Sequence, residues 1–376
     1  MPEALADQRA DVGTWAPKRR ILACAAQGSG GGDEARLLAL LSSFETEVVK
    51  IDKTARLRSF FGCLRRLRRG GFDLFVLEGT GVAAGCAAII GSILFRRPFV
   101  LGSGDAVAPY LTARFPLGAP MFGLYERLLY RCCRGFIGWT PYLAGRALTL
   151  GARRAITVPG WAPFSPDPEE LAARRSEIRR GFGIPDDAVV FGIAGALNWS
   201  RRYRYCYGME LVRAAARCRN PAHVLIVGDG TGADFLRADA GESLNRRVFL
   251  TGRVARSEIP FYLAAMDVGT LPQSVDKVGS FRFTTKLAEY RQAGLPYVTN
   301  QIPLAYDLDD GDLWRLPGAA PWSETFITAL ARLMDTLTPA QAAARRRPLS
   351  AIFERDAQIR RAAAFIGDML DEIAGA

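Results

Sequence analysis

Three short segments combine residue types and spacings that suit a phosphate-bearing ligand. The first is the run Gly-Ser-Gly-Gly-Gly at 28–32, which follows the apolar stretch beginning at Ile21 and precedes a helical pattern. Glycines let backbone amides approach an anion closely, and Gly30 and Gly31 sit inside the turn. The run is not the dinucleotide fingerprint G-x-G-x-x-G, because Asp33 holds its last position, so a plain tight turn reads equally well. The second segment, Leu-Asn-Trp-Ser-Arg-Arg-Tyr-Arg-Tyr at 197–205, places Arg201, Arg202 and Arg204 just after an apolar strand. Guanidinium groups at a strand's carboxyl end can neutralise a diphosphate. The interleaved Tyr203 and Tyr205 also resemble a surface that stacks single-stranded RNA, and a solvated basic loop is the plain alternative. The strand-end position favours phosphate.

The third segment spans 279–299. Thr284 and Thr285 stand where a helix begins, positioned to cap it or to offer donors to a phosphate, and Lys286 adds a positive charge. Glu289 follows one turn later, and a carboxylate there can accept two hydrogen bonds from the vicinal diol of a ribose. Taken on spacing alone, a capped helix with an exposed glutamate accounts for the same residues.

Such groups act together only if the fold delivers them to one place. In the first half, strand-like runs at 21–26, 47–52, 72–79, 97–105, 136–140 and 155–158 alternate with turns and helical patterns. In the second half the rhythm repeats, with strands running into their loops at 189–199, 222–232, 247–254, 267–274 and 295–301. Strands each followed by a helix require parallel sheets, and parallel sheets bind ligands at the carboxyl ends of their strands. The expected fold is α/β, with two Rossmann-like domains whose parallel sheets face each other across a cleft. Residues 1–18 read as a flexible leader, 19–165 as the first domain, 166–340 as the second and 341–376 as C-terminal helices able to close either one.

Composition narrows the function further. The net charge of +11 suits nucleic acid, an anionic membrane or anionic small molecules, and does not choose between them. Seven irregularly spaced cysteines and a single histidine, His223, exclude the paired spacing of a structural zinc site, so the cysteines read as core residues of a reducing compartment. The first twenty residues lack an apolar signal core, and the uncharged stretch from Gly79 to Phe95 is too short, and too interrupted by glycine and serine, to span a bilayer. The expected location is the cytoplasm, in free solution or peripheral on the inner face of the membrane. A basic amphipathic pattern at 55–72, with Leu57, Phe60, Phe61, Leu64 and Leu67 between arginines, is the candidate for contact with an anionic surface. A surface helix packed on its sheet is the plain reading of the same pattern.

Five segments in order carry a family likeness: FGIAGALNW with Arg201 and Arg202, VLIVGDG at 224–230, FLTGRV at 249–254, FYLAAMDVGTLPQS at 261–274, and Glu289 followed by YRQ-AGLP-YVT. Together they resemble the donor domain of glycosyltransferase family 4, which has the GT-B fold. The resemblance covers about residues 189–300; the first half matches only in rhythm. It implies transfer of a sugar from a nucleoside diphosphate donor to a hydroxyl acceptor, with retention, in glycan, glycolipid or polysaccharide synthesis. Glu289 would hold the donor ribose, and Thr284 and Thr285 the diphosphate or sugar. Arg201 or Arg202 with Lys286 would neutralise the leaving diphosphate, and Gly252, Arg253 and Val254 would frame the base. With cations doing that work no cofactor and no metal are expected, and nucleic acid is not an expected partner.

Two positions depart from the family pattern. The glutamate usual eight residues before the ribose glutamate is here Phe281, and the first-domain loop that often holds a histidine reads Gly-Ser-Gly-Asp-Ala. Asp105 is the nearest substitute there, able to bind hydroxyls or take the acceptor proton, or simply to cap the turn. A nucleotide-sugar epimerase of the same fold, and a non-catalytic carbohydrate- or nucleic-acid-binding protein, remain as alternatives.

Overall fold

A computed structural model describes residues 19–52, 54–165, 167–220 and 222–375. Strands β1 (Arg20–Ala25), β2 (Glu45–Val48), β3 (Leu74–Glu78), β4 (Phe99–Ser103), β5 (Gly135–Gly138) and β6 (Ala155–Thr157) form one sheet in the order β2-β1-β3-β4-β5-β6. Strands β7 (Val190–Ala194), β8 (His223–Val227), β9 (Val248–Leu250), β10 (Val268–Leu271), β11 (Tyr297–Asn300) and β12 (Leu313–Leu316) form a second, β12-β11-β10-β7-β8-β9. The strand pairs in both sheets are parallel. Runs such as Leu-Phe-Val-Leu at the start of β3 are apolar at successive positions because helices cover both faces of the sheet.

Each sheet is a two-faced core. On one face of the first sheet, helices Arg56–Arg69, Val82–Leu94, Ala119–Cys132 and Pro141–Thr149 bury Cys63, Leu67, Ala87, Leu129 and Leu143 against Phe75, Leu101 and Phe136. The other face packs Leu37 and Leu40 of helix Gly32–Leu40 with Phe365, Ile366 and Met369 of the C-terminal helix Arg355–Ala374. That helix therefore completes the first domain, although the chain has just left the second. It is tied there by ion pairs from Arg19 to Asp371 and from Arg154 to Glu372. The arginine-rich run before it stays on the second domain, where Arg345 donates to the Leu313 carbonyl and Arg346 to that of Met266. Helix Pro168–Gly181, opened by an Asp167 cap, also belongs to the second domain. Its Arg175 and Arg179 both grip the buried Asp267 at 2.6 Å.

Three elements differ from the reading of the sequence. Residues 107–132, to which no element was assigned, form helices Val107–Arg114 and Ala119–Cys132. Strand β12 was also missed, since Leu-Trp-Arg-Leu is too short and too mixed to show a period. The strand read at 247–254 ends at Leu250, because Gly252 turns with φ 71° and its carbonyl accepts from the Gly228 amide.

Candidate active site

The second sheet reverses strand order between β7 and β10, and this switch point is where an open parallel sheet leaves a crevice for ligands. The loops after these two strands form one wall of a cleft of about 1110 Å³, and first-domain residues including Pro109, Thr112 and Tyr142 form the other. The volume is at the upper end for a small-molecule site, with room for two ligands side by side.

The β7 loop is held from behind by the β8 loop. Gly195 donates to the Val227 carbonyl, and Leu197 to that of Asp229. A Cβ at Gly228, which has φ 131°, would overlap the Gly195 carbonyl oxygen, so the close approach of the loops requires glycine. Beyond Leu197 a bridge between Ser200 and Tyr205 closes a tight turn that exposes Arg201, Arg202, Tyr203 and Arg204. Arg202 faces the cleft with its guanidinium 5.2 Å from the Tyr203 ring centre. Arg201, exposed on the same turn, is not among the residues lining the cleft, so of the two arginines read from the sequence Arg202 is the one on its wall.

A buried carboxylate that the sequence reading missed anchors this turn. Glu210, at the start of helix Met209–Ala215, accepts from the Tyr205 hydroxyl at 2.8 Å, the Gly208 amide at 3.1 Å and the Thr270 hydroxyl at 3.1 Å. It thus fastens the β7 loop to β10. Burial pushes its carboxyl above the usual range, against the pull of those hydrogen bonds.

Helix Thr285–Gln292 supplies the expected anion-binding end. Thr284 is the extended N-cap residue; its side chain makes no cap hydrogen bond and its carbonyl accepts from the Leu287 amide at 3.0 Å, so the Thr285 and Lys286 amides are the ones left for a ligand. Lys286 reaches back to the β7 loop: its Nζ lies 2.8 Å from where a Cβ of Gly195 would be and 4.5 Å from the Tyr207 ring centre. Burial lowers the lysine pKa, while Glu289 and Glu210 raise it. Glu289 is half-buried; burial raises its pKa, opposed by Lys286 and by Arg256 beyond β9. The helix, the β7 loop and the loop after β9 therefore meet around Lys286 and Glu289. In the β9 loop, Gly252 faces open space and Arg253 is exposed, while Val254 packs its side chain on the core.

The β10 loop clasps the other domain. Asp276 stiffens it by accepting from the Ser274 hydroxyl at 2.6 Å and from the Val278 and Gly279 amides at 2.8 Å. Burial alone would raise the Asp276 pKa, but these bonds hold it below the ordinary range. Phe281 then stacks on Tyr142 at 3.6 Å, Arg282 Nε donates to Asp105 Oδ1 at 2.7 Å, and Phe283 donates its amide to the Gly104 carbonyl and packs its ring edge-on to Trp139. Phe281, at the position of the usual family glutamate, is thus a domain contact. Asp105 stands at the carboxyl end of β4, and its carboxylate is engaged by Arg282 in this structure.

The glycine turn stands apart from these groups. Gly30 and Gly31 are not among the residues lining the cleft, and the Gly30 amide donates to the exposed Glu34 carboxylate at 3.0 Å.

Two parallel Rossmann-like domains with the site in the cleft between them define the GT-B architecture. Residues 188–336, most of the second domain, match the family described as "Glycosyl transferases group 1". A 2-deoxystreptamine glucosyltransferase of Streptomyces kanamyceticus is 30% identical over 176 residues, which span 45% of this chain and 44% of the relative, so the match reaches less than half of either protein. The HepE structure from Anabaena with UDP and glucose superposes with a TM-score of 0.65 at 18% identity, covering 93% of this chain and 100% of that one. A structure described as a putative UDP-N-acetylglucosamine 2-epimerase from Listeria monocytogenes shares the fold, with a TM-score of 0.58 at 14% identity over 94% of this chain and 97% of that one.

Proposed function

We propose that the protein transfers a hexose from a uridine diphosphate donor to a hydroxyl of a glycan or glycolipid acceptor, with retention at the anomeric carbon. The observation that carries this reading is the meeting of Lys286, Glu289 and an uncapped helix N-terminus at the switch point. In the reaction the sugar's bond to the diphosphate breaks with the electron pair staying on the diphosphate, a bond to the acceptor oxygen forms, and the hydroxyl proton passes to Asp105. Charge then accumulates on the departing diphosphate, and the helix amides, the Lys286 ammonium and Arg202 are placed to stabilise it. These cations do the work a metal would otherwise do, so chelators are expected to leave activity intact. Glu289 holds the ribose hydroxyls. Asp105 is the carboxylate assigned to the acceptor hydroxyl, and to act it exchanges Arg282 for that group.

The choice of uridine rests on the ligands named for the structural neighbours. The first-domain wall, with Pro109, Thr112 and Tyr142, supplies room for an acceptor, which favours transfer over epimerisation of the donor alone. Arg202 and Lys277 on the cleft wall disfavour a polycationic acceptor. A thermal-shift screen against UDP-, GDP-, ADP- and TDP-hexoses tests the reading. A donor near 100 times its Kd should stabilise the protein by about 2.7 kcal/mol. UDP-hexoses should raise Tm with concentration, and a screen in which no nucleotide sugar does so removes the proposal. Nuclear magnetic resonance of the product then reads the anomeric outcome.

A further inference from the structure

Helix Ala119–Cys132 buries Tyr125, Glu126, Leu129 and Tyr130 in the first domain, yet its opposite face is not polar. Leu117 in the preceding turn is 102% exposed, Met121 70% and Leu124 60%, with Leu128 next in line. The spacing 117, 121, 124, 128 is one stripe of a helix, flanked by the exposed Arg127 and Arg131. A solvent face of this kind is a contact surface. The neighbouring helices extend it. Helix Arg56–Arg69 leaves Leu57 and Phe61 exposed among Arg56, Arg58, Arg65, Arg68 and Arg69, and helix Val82–Leu94 leaves Ile93 and Leu94 exposed. All three helices pack side by side on one face of the first sheet. They carry a single carboxylate between them, Glu126, which is buried and held by Arg146 at 2.6 Å.

We infer that this helical layer docks on an anionic lipid bilayer, with Leu117, Met121 and Leu124 entering the lipid and the arginines of the layer meeting the headgroups. Apolar groups surrounded by cations, with no free carboxylate in the layer's helices, match an acidic bilayer on both counts. The centre of the surface differs from the one read from the sequence. In helix Arg56–Arg69, Arg66 is taken by Glu47 at 2.6 Å, and Phe60 and Leu64 pack on the core, so this helix contributes mainly charge. Ala119 of this layer, with Ala108 and Thr112 of the adjoining helix Val107–Arg114, borders the cleft, so docking would bring its acceptor side to the lipid surface. The binding itself does not depend on the transfer reaction.

Sedimentation of the full chain with vesicles of phosphatidylcholine, with and without phosphatidylglycerol, tests the inference. Binding is expected only to the anionic vesicles and should weaken with salt. Combining Leu117→Ser, Met121→Ser and Leu124→Ser should reduce it at least about tenfold, since each side chain would lose its transfer into lipid. A second measurement does not depend on that variant folding. Met121→Trp should be quenched by brominated anionic lipid, and Phe235→Trp on the second domain should not. No binding to anionic vesicles, equal quenching at both positions, or a dimer in solution that the triple substitution converts to monomer would overturn the inference.

Discussion

Replacing Glu210 by alanine should loosen the donor site without touching a ligand-facing residue. The carboxylate receives three hydrogen bonds, from the Tyr205 hydroxyl, the Gly208 amide and the Thr270 hydroxyl, all in a buried setting. Orphaning a buried donor costs about 1 kcal/mol at the low end, so Glu210→Ala should lose about 3 kcal/mol. For a domain of this size that is a fall of roughly 6–12 °C in Tm. Glu210→Gln separates packing from charge. Its carbonyl oxygen can keep the Tyr205 and Gly208 bonds, and the Thr270 hydroxyl can turn to accept from the amide, so most of the stability should return. The negative charge is gone, however. Glu210 is one of two groups that raise the Lys286 pKa against burial, so its loss lets the ammonium deprotonate at lower pH. The alkaline limb of the donor-binding profile should therefore move to lower pH in Glu210→Gln. Calorimetry of the three proteins and donor titration across pH provide the assay. Equal stability of Glu210→Ala and the wild type would refute the network argument. An unmoved alkaline limb in Glu210→Gln would refute the electrostatic one.

Further predictions follow from the clasp and from the histidine. Asp105→Asn should lower kcat by about 10²–10⁴-fold, the usual range for a general base, with donor affinity unchanged; an unchanged kcat would confine Asp105 to its pairing with Arg282. His223 has its pKa lowered, first by burial and then by Arg247 and Arg179, and its buried Nδ1 has no hydrogen-bond partner. The folded state therefore prefers the neutral ring, while the unfolded chain takes up a proton near pH 6.5. Stability should fall as the pH drops below about 6.5, and His223→Phe should flatten that part of the profile measured by denaturant titration. A profile unchanged by the substitution would assign the slope to other groups.

The second domain was more legible in the sequence than the first. Its donor loops follow short strands, almost wholly buried, that each end in a recognisable turn, and Lys286 and Glu289 lie three residues apart, so helical geometry alone brings them together. What stayed hidden depends on contacts between distant parts of the chain. Arg282 and Asp105 are 177 residues apart and meet only once both domains exist. Glu210 looks like an ordinary first-turn acid, and its role appears only when Tyr205 and Thr270 converge on it. The return of helix Arg355–Ala374 to the first domain is invisible to periodicity, which shows that a face is apolar but not what covers it. At Gly30 the sequence leaves two readings open, because a glycine turn and a phosphate cradle share one composition; in the structure its amide donates to Glu34.

The central claim is that Glu289 and Lys286 serve one nucleoside diphosphate at the switch point. Isothermal titration of UDP into the wild type, Glu289→Ala and Arg201→Ala tests it most directly. Loss of a charge-assisted pair of hydrogen bonds should weaken UDP about 10–100-fold in Glu289→Ala, while Arg201→Ala, altered at an exposed side chain away from Lys286 and Glu289, should bind as the wild type does. Failure of the wild type to bind UDP, or an unaltered Kd in Glu289→Ala, would contradict the account.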